Sequence, residues 1–123
     1  MPKERQQEME FSYRYPVEEM GYLPVPQNLP HFVSLRPEFL REKLQAHMLF
    51  GRIPVKEEDR ITKVVCPFCQ KGFLKLVAIK PVLDGGPGNI LIEKKHVGNT
   101  YTYVCTNDRC DGRFFGEDRW MWF

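Results

Sequence analysis

Four cysteines constrain this chain more than any other feature. They stand as Cys66-x2-Cys69 and, 35 residues on, Cys105-x4-Cys110, and the sequence holds no others. Each pair fits on one tight turn, and each follows a strand-like run, ITKVV before the first and TYTYV before the second. If those strands pair, the turns converge and four sulfurs meet. Disulfides would need an oxidising compartment, and the charged start MPKERQQEME has no apolar stretch resembling a signal peptide. A redox dithiol would need Cys66 at a helix N-terminus, where the dipole lowers a thiol pKa. Here Gln70-Lys71-Gly72 and another strand-like run follow instead, and Cys105 and Cys110 would stand idle.

A tetrahedral metal site uses all four. Zinc favours an all-thiolate tetrahedron in structural sites, so one structural Zn2+ held by Cys66, Cys69, Cys105 and Cys110 is expected. Iron in the same cage, for electron transfer, is the minor alternative. Four thiolates leave no open position for water or substrate, so the site is expected to be non-catalytic. His31, His47 and His96 are scattered, and no serine-histidine-acid set or paired carboxylates suggests an enzyme. Gly72 and Gly112 are expected to take positive φ, folding the turns back so that backbone N–H groups face the sulfurs. A unit of about 60 β-rich residues has little core of its own, which is a reason for a metal.

The N-terminal half reads differently. Six of the ten prolines lie within the first 37 residues, among Phe11, Tyr13, Tyr15, Tyr22, Leu23, Leu29 and Phe32. Prolines at this density exclude a helix or a central strand, while the apolar anchors exclude a solvated linker. Residues 1–36 are therefore expected to form an extended arm lying on a surface, either its own domain or a partner. Residues 37–60 are read as a helix and charged linker. The helix is expected over about 35–50, with Leu40, Leu44, His47 and Met48 on one face and Gly51 ending it. Residues 61–123 are read as the metal-bearing domain. Its strands are expected at 61–65, 73–80, 90–97 and 100–105, with a turn at 84–89 and a two-residue hairpin at Gly98-Asn99. The fold class is thus small, mixed and mostly β: a four-cysteine zinc β-ribbon preceded by one helix and the extended arm.

Cys66-Pro67-x-Cys69, Tyr103-x-Cys105-x-Asn107-x-x-Cys110 and Phe114 together resemble the zinc ribbons of the Ogr/Delta phage late-gene activators. They are also similar to the C-terminal four-cysteine fingers of type IA topoisomerases. The resemblance covers residues 66–115. It implies contact with RNA polymerase in the first family and with single-stranded DNA in the second.

The net charge is +2, from 18 basic and 16 acidic residues, too mild to make nucleic acid the first expectation. Lys71, Lys75, Arg109 and Arg113 flank the knuckles, either as a phosphate-contacting patch or as compensation for the thiolates. Phe114, Phe115, Trp120, Met121, Trp122 and Phe123 crowd the last ten residues and need burial or a partner. The expected role is a cytoplasmic accessory subunit that docks on a larger enzyme or nucleoprotein complex. Tyr13, Tyr15, Tyr22, Phe32, Trp120 and Trp122 are its candidate partner contacts. A nucleic-acid-associated transcription regulator is the alternative, and a redox or electron-transfer protein a weaker one. No apolar run reaches membrane-spanning length.

Overall fold

A computed structural model describes residues 12–21, 32–45, 52–84 and 95–120. In chain order its elements are β1 (Tyr13–Arg14), α1 (Val17–Met20), β2 (Phe32–Leu35), α2 (Pro37–Glu42), a 3-10 turn (Glu57–Arg60), β3 (Ile61–Val65), β4 (Phe73–Asp84), β5 (Lys95–Cys105) and β6 (Arg113–Arg119). The strands form one six-stranded sheet in the order β1-β3-β4-β5-β6-β2. Each of the four central strands runs antiparallel to its neighbour among them, whereas β1 joins β3 and β2 joins β6 in parallel. The described arm residues thus supply both edges of the sheet. Short edge strands are where a proline-rich segment can pair, because one side of the backbone needs no partner.

Chain length then forces curvature. Laid flat, six strands would separate β1 from β2 by about 24 Å. Gly21 bridges to Leu35 of β2, and the path from Arg14 to Gly21 includes the four-residue α1. That path spans only about 16 Å. The sheet therefore curls, and its inner face encloses the core. Val64, Leu74, Leu76, Tyr101, Tyr103 and Phe114 face inward, met by Met20, Val33, Leu35, Phe39, Leu40 and Leu44 from the N-terminal half. Helix α2 closes the concave side: a Cβ on Gly116 would lie 2.6 Å from Leu40 Cδ1, so only glycine lets α2 approach β6 this closely.

Arg41 fixes the orientation of α2. Its Nε and Nη2 donate to Asp118 Oδ1 at 2.7 and 2.6 Å, and Asp118 is almost wholly buried. At that end of the sheet Asn99, also buried, meets His96 Nε2 through Oδ1 at 2.8 Å and donates to Tyr101 Oη at 3.4 Å.

Several expectations need correction. Helix α2 ends at Glu42, where Lys43 and Leu44 both donate to the Phe39 carbonyl and Gln45 takes φ of 53°. The apolar stripe continues in the sequence, but a left-handed Gln45 interrupts the helical repeat; His47, Met48, Leu49 and Gly51 lie outside the described residues. The arm contains a helix, α1, whose Glu18 and Glu19 carbonyls accept from Arg36 Nη2. The linker is shaped by the 3-10 turn, with Arg60 Nε donating to the Pro54 carbonyl.

Gly98-Asn99 is not a hairpin. Both residues lie inside the continuous β5, and the strand that turns back to pair with β5 is β4, joined through Asp84↔Lys95. Gly98 is needed for a close approach: a Cβ there would collide with the Asp118 carbonyl oxygen and lie 2.9 Å from Arg119 Cα. The rest of the expected turn at 84–89, beyond Asp84, lies outside the described residues. Among those described, no helix is long and apolar enough to cross a membrane.

Candidate metal centre

Both cysteine pairs lie at one end of the curled sheet, where β3 runs into β4 and β5 into β6. The first knuckle is closed by Cys66 N–H donating to the Gly72 carbonyl at 2.8 Å and Gln70 N–H to the Cys66 carbonyl at 2.9 Å. Its tight bend is made by Gln70, whose φ is 57°. Neither Gly72 nor Gly112 takes the expected positive φ. Gly72 instead permits crowding: a Cβ there would collide with Cys105 Sγ and lie 2.8 Å from Asn107 N. In the second knuckle Cys110 N–H donates to the Asn107 carbonyl. The knuckles are joined by Thr106, whose N–H donates to the Phe73 carbonyl while its Oγ1 accepts from Phe73 N–H, both at 2.9 Å.

This arrangement brings the sulfurs of Cys66, Cys69, Cys105 and Cys110 within 4.8 Å of one another. Cys66 lies 3.7 Å from Cys110 and Cys69 3.5 Å from Cys105. A metal–sulfur bond of about 2.3 Å in a regular tetrahedron sets the sulfurs about 3.8 Å apart, so the donor set fits one ion. Cys66 and Cys105 are buried, and Cys69 and Cys110 are half-buried. Among the described residues no histidine or carboxylate joins the group.

Backbone amides face the sulfurs as expected. Lys71 and Gly72 N–H donate to Cys69 Sγ and Asn107 N–H to Cys105 Sγ, each at 3.4 Å. Burial raises the Cys66 thiol to about 11, against hydrogen bonds from Cys69 and Phe68 N–H. Burial also raises Cys105 well above the thiol range. Burial opposes ionisation of Cys69 too, but the Lys71 and Gly72 amides, Asn107 and Cys105 bring it to about 6.

A metal must displace the protons of Cys66 and Cys105 to bind. In the unfolded chain thiols keep their ordinary value of 9.0. Below it, the unfolded state binds more protons than the metal-loaded fold, so stability of the loaded protein falls with acid. Chelator competition between about pH 8 and pH 5 should show affinity falling by more than about tenfold per pH unit. A flat profile contradicts thiolate ligation.

The aromatic packing around the site is shared between the two knuckles. Phe68 in the first stacks at 5.8 Å on the buried Phe114, which follows the second. Of the basic residues singled out from the sequence, Lys71, Arg109 and Arg113 are exposed. Lys75 is not available in the same way, since its ammonium pairs with Glu57. Of the aromatic candidates, Tyr15 packs edge-on to Phe39 at 5.2 Å and Phe32 stacks on Phe115 at 4.6 Å. Tyr13 is 45% and Trp120 52% exposed. Tyr22 and Trp122 lie outside the described residues.

Sequence reasoning missed the ion pair of Arg41 and Asp118 and the joining role of Thr106. Neither has a local signature, because the partners are far apart in the chain. Asn107 was visible in the cysteine motif, and it serves both knuckles.

Fold and site together define a small, mostly-β protein whose curled mixed sheet carries a four-thiol cluster fit for a structural metal. No protein-family model, curated protein or solved structure matches the chain. The resemblance to phage activators and topoisomerase fingers therefore rests on the motif residues alone.

Proposed function

We propose that this chain is a non-catalytic accessory subunit of zinc-ribbon type that holds one structural Zn2+ and docks on a larger protein or nucleoprotein assembly. The observation that supports it is the four-sulfur cage, whose spacing suits a tetrahedral ion and whose donors fill the coordination shell. With chemistry at the metal excluded by a full shell, the protein acts through its surface. Within the described arm, Tyr15 and Phe32 pack on residues of the same chain, so docking falls chiefly to the end of the sheet opposite the metal. There Trp120 meets His96 edge-on at 5.0 Å, and Leu83, paired with His96 across β4 and β5, is 53% exposed. A half-exposed tryptophan beside an exposed leucine is the kind of anchor that carries binding energy at interfaces.

The test is co-purification from the protein's own cell through high salt, with stoichiometry read by native mass. Trp120→Ala is expected to weaken the complex by about tenfold or more. A chain that purifies alone, or a complex indifferent to Trp120→Ala, contradicts the docking role.

Exposure of Lys71, Arg109 and Arg113 around the knuckles favours a second reading, a regulator whose metal end contacts nucleic acid. That reading requires affinity that falls steeply with salt and weakens when these three are replaced by alanine.

A further inference from the structure

The outer face of the sheet is laid out by the strand register. Ser34, Phe115 and Thr102 stand side by side on β2, β6 and β5, and the next row holds Glu117, Thr100 and Lys80 on β6, β5 and β4. Their chain neighbours Leu35, Phe114, Tyr101 and Ile79 pack in the core, so these six point outward. One row nearer the metal, Phe32 stacks on Phe115 at 4.6 Å. On the other side of Phe115 a groove of about 390 Å³ opens, lined by the remaining five.

Solvent reaches all of these groups: Lys80 and Glu117 are exposed, and Phe115 and the three hydroxyl residues are half-buried. Lys80 and Glu117 form no ion pair among the described residues, and their backbones lie two strand spacings, about 10 Å, apart. Thr100, between them, donates its hydroxyl proton to the Lys80 carbonyl at 3.3 Å.

This order of groups suits a ligand that is flat at one end, with hydrogen-bond donors on its edge, and anionic at the other. A nucleotide with an amine-bearing base has that order. The base stacks on Phe115, its exocyclic amine donates to Glu117, the sugar crosses Thr100 and the phosphate reaches Lys80. Uracil and thymine turn a carbonyl toward Glu117 where cytosine turns its amine, and two acceptors repel. The groove is open and covers only part of one nucleotide. Arg113, exposed in the row of Phe32, and exposed Lys71 and Arg109 in the knuckles continue the cationic face toward the metal. A strand can use those cations, and a free nucleotide cannot.

We propose that the outer face of β4, β5 and β6 binds single-stranded nucleic acid at a cytosine or adenine, with Phe115 stacking the base, Glu117 accepting from its amine and Lys80 meeting its phosphate. The proposal rests on the nucleic-acid reading of the metal end and deepens it.

The experiment is fluorescence anisotropy of the intact chain with dye-tagged oligo(dC) of about ten nucleotides. Oligo(dU), which carries a carbonyl in place of the amine, is the comparison, and deoxycytidine monophosphate is the competitor. Oligo(dC) should bind about tenfold more tightly than oligo(dU), and Glu117→Gln should remove that preference. Phe115→Leu should weaken both by about tenfold, and Lys80→Ala should weaken both and flatten their salt dependence. Lys80→Ala and Glu117→Gln change exposed side chains and should leave the melting temperature in place, so the test survives if Phe115→Leu disturbs the Phe32 stack. A preference that survives Glu117→Gln, affinity unchanged by Phe115→Leu or Lys80→Ala, or a monophosphate that binds as tightly as the oligonucleotide overturns the proposal. Binding that is lost when Lys71 and Arg109 become alanine, yet is indifferent to the groove variants, overturns it and leaves the metal-end reading standing. Absence of binding overturns both.

Discussion

Cys66→Ser and Cys105→Ser are each expected to abolish the cooperative melting transition and most of the β-sheet circular-dichroism signal. Both residues are buried where the central strands run into the knuckles, and beyond the sulfurs the knuckles are joined through Thr106 and Phe73. Structural zinc supplies an apparent ~10–16 kcal/mol of coupled binding and folding. The whole stability of a domain is about 5–15 kcal/mol, so a zinc ion held by this cage, as proposed, would supply as much as the fold has and its loss would remove it. Serine oxygen is a poor substitute, being a harder ligand than thiolate for zinc. Cys69→Ser and Cys110→Ser should act in the same direction, because three ligands leave the shell open. A serine variant with an unchanged spectrum and melting point would show that the cage does not hold the protein together.

Loss of the arm is expected to have the second-largest effect. Deleting residues 1–36 removes β1, α1 and β2, and with them Met20, Val33 and Leu35, all buried in the core. It also strips β6 and β3 of their edge partners, leaving open ladders prone to aggregate. The deletion should therefore yield a chain that aggregates or melts without cooperativity even when metal is supplied. A milder variant keeps the effect measurable: Leu35→Ala should destabilise by about 2–5 kcal/mol, as for other buried leucines. That corresponds to a melting temperature lower by on the order of 10 °C. Tyr13→Ala, at a side chain 45% exposed, should change stability by about 0.5 kcal/mol or less. If deletion left the melting point untouched, the described arm would have no place in the sheet.

These outcomes bear on what could be read in the sequence. The convergence of the four cysteines was legible, because short spacings force each pair onto one turn and the strand before each is marked by its own residues. The bounds of β3 and the start of β4 followed from the same local patterns. The destination of the arm was open between this chain and a partner. Its strands are two and four residues long, and their pairing with β3 and β6 is set by contacts far along the chain.

Gly98 shows a second limit. A glycine followed by asparagine carries the same letters whether it makes a turn or admits a neighbouring strand, and only the Asp118 backbone against Gly98 distinguishes the two. Gly72 likewise looked like a turn residue and proves to be a point of close approach, while the left-handed backbone falls at Gln70. In α2 the periodic stripe announced a longer helix than forms, since periodicity records which side chains are apolar and not where the backbone changes hand at Gln45.

Native mass spectrometry of the intact chain, purified from its own cell without added metal, tests the central claim most directly. The predicted result is one zinc ion per folded chain, released on acidification together with a shift to the highly charged ions of an unfolded protein. A folded, metal-free chain that melts at the same temperature with and without chelator would contradict it.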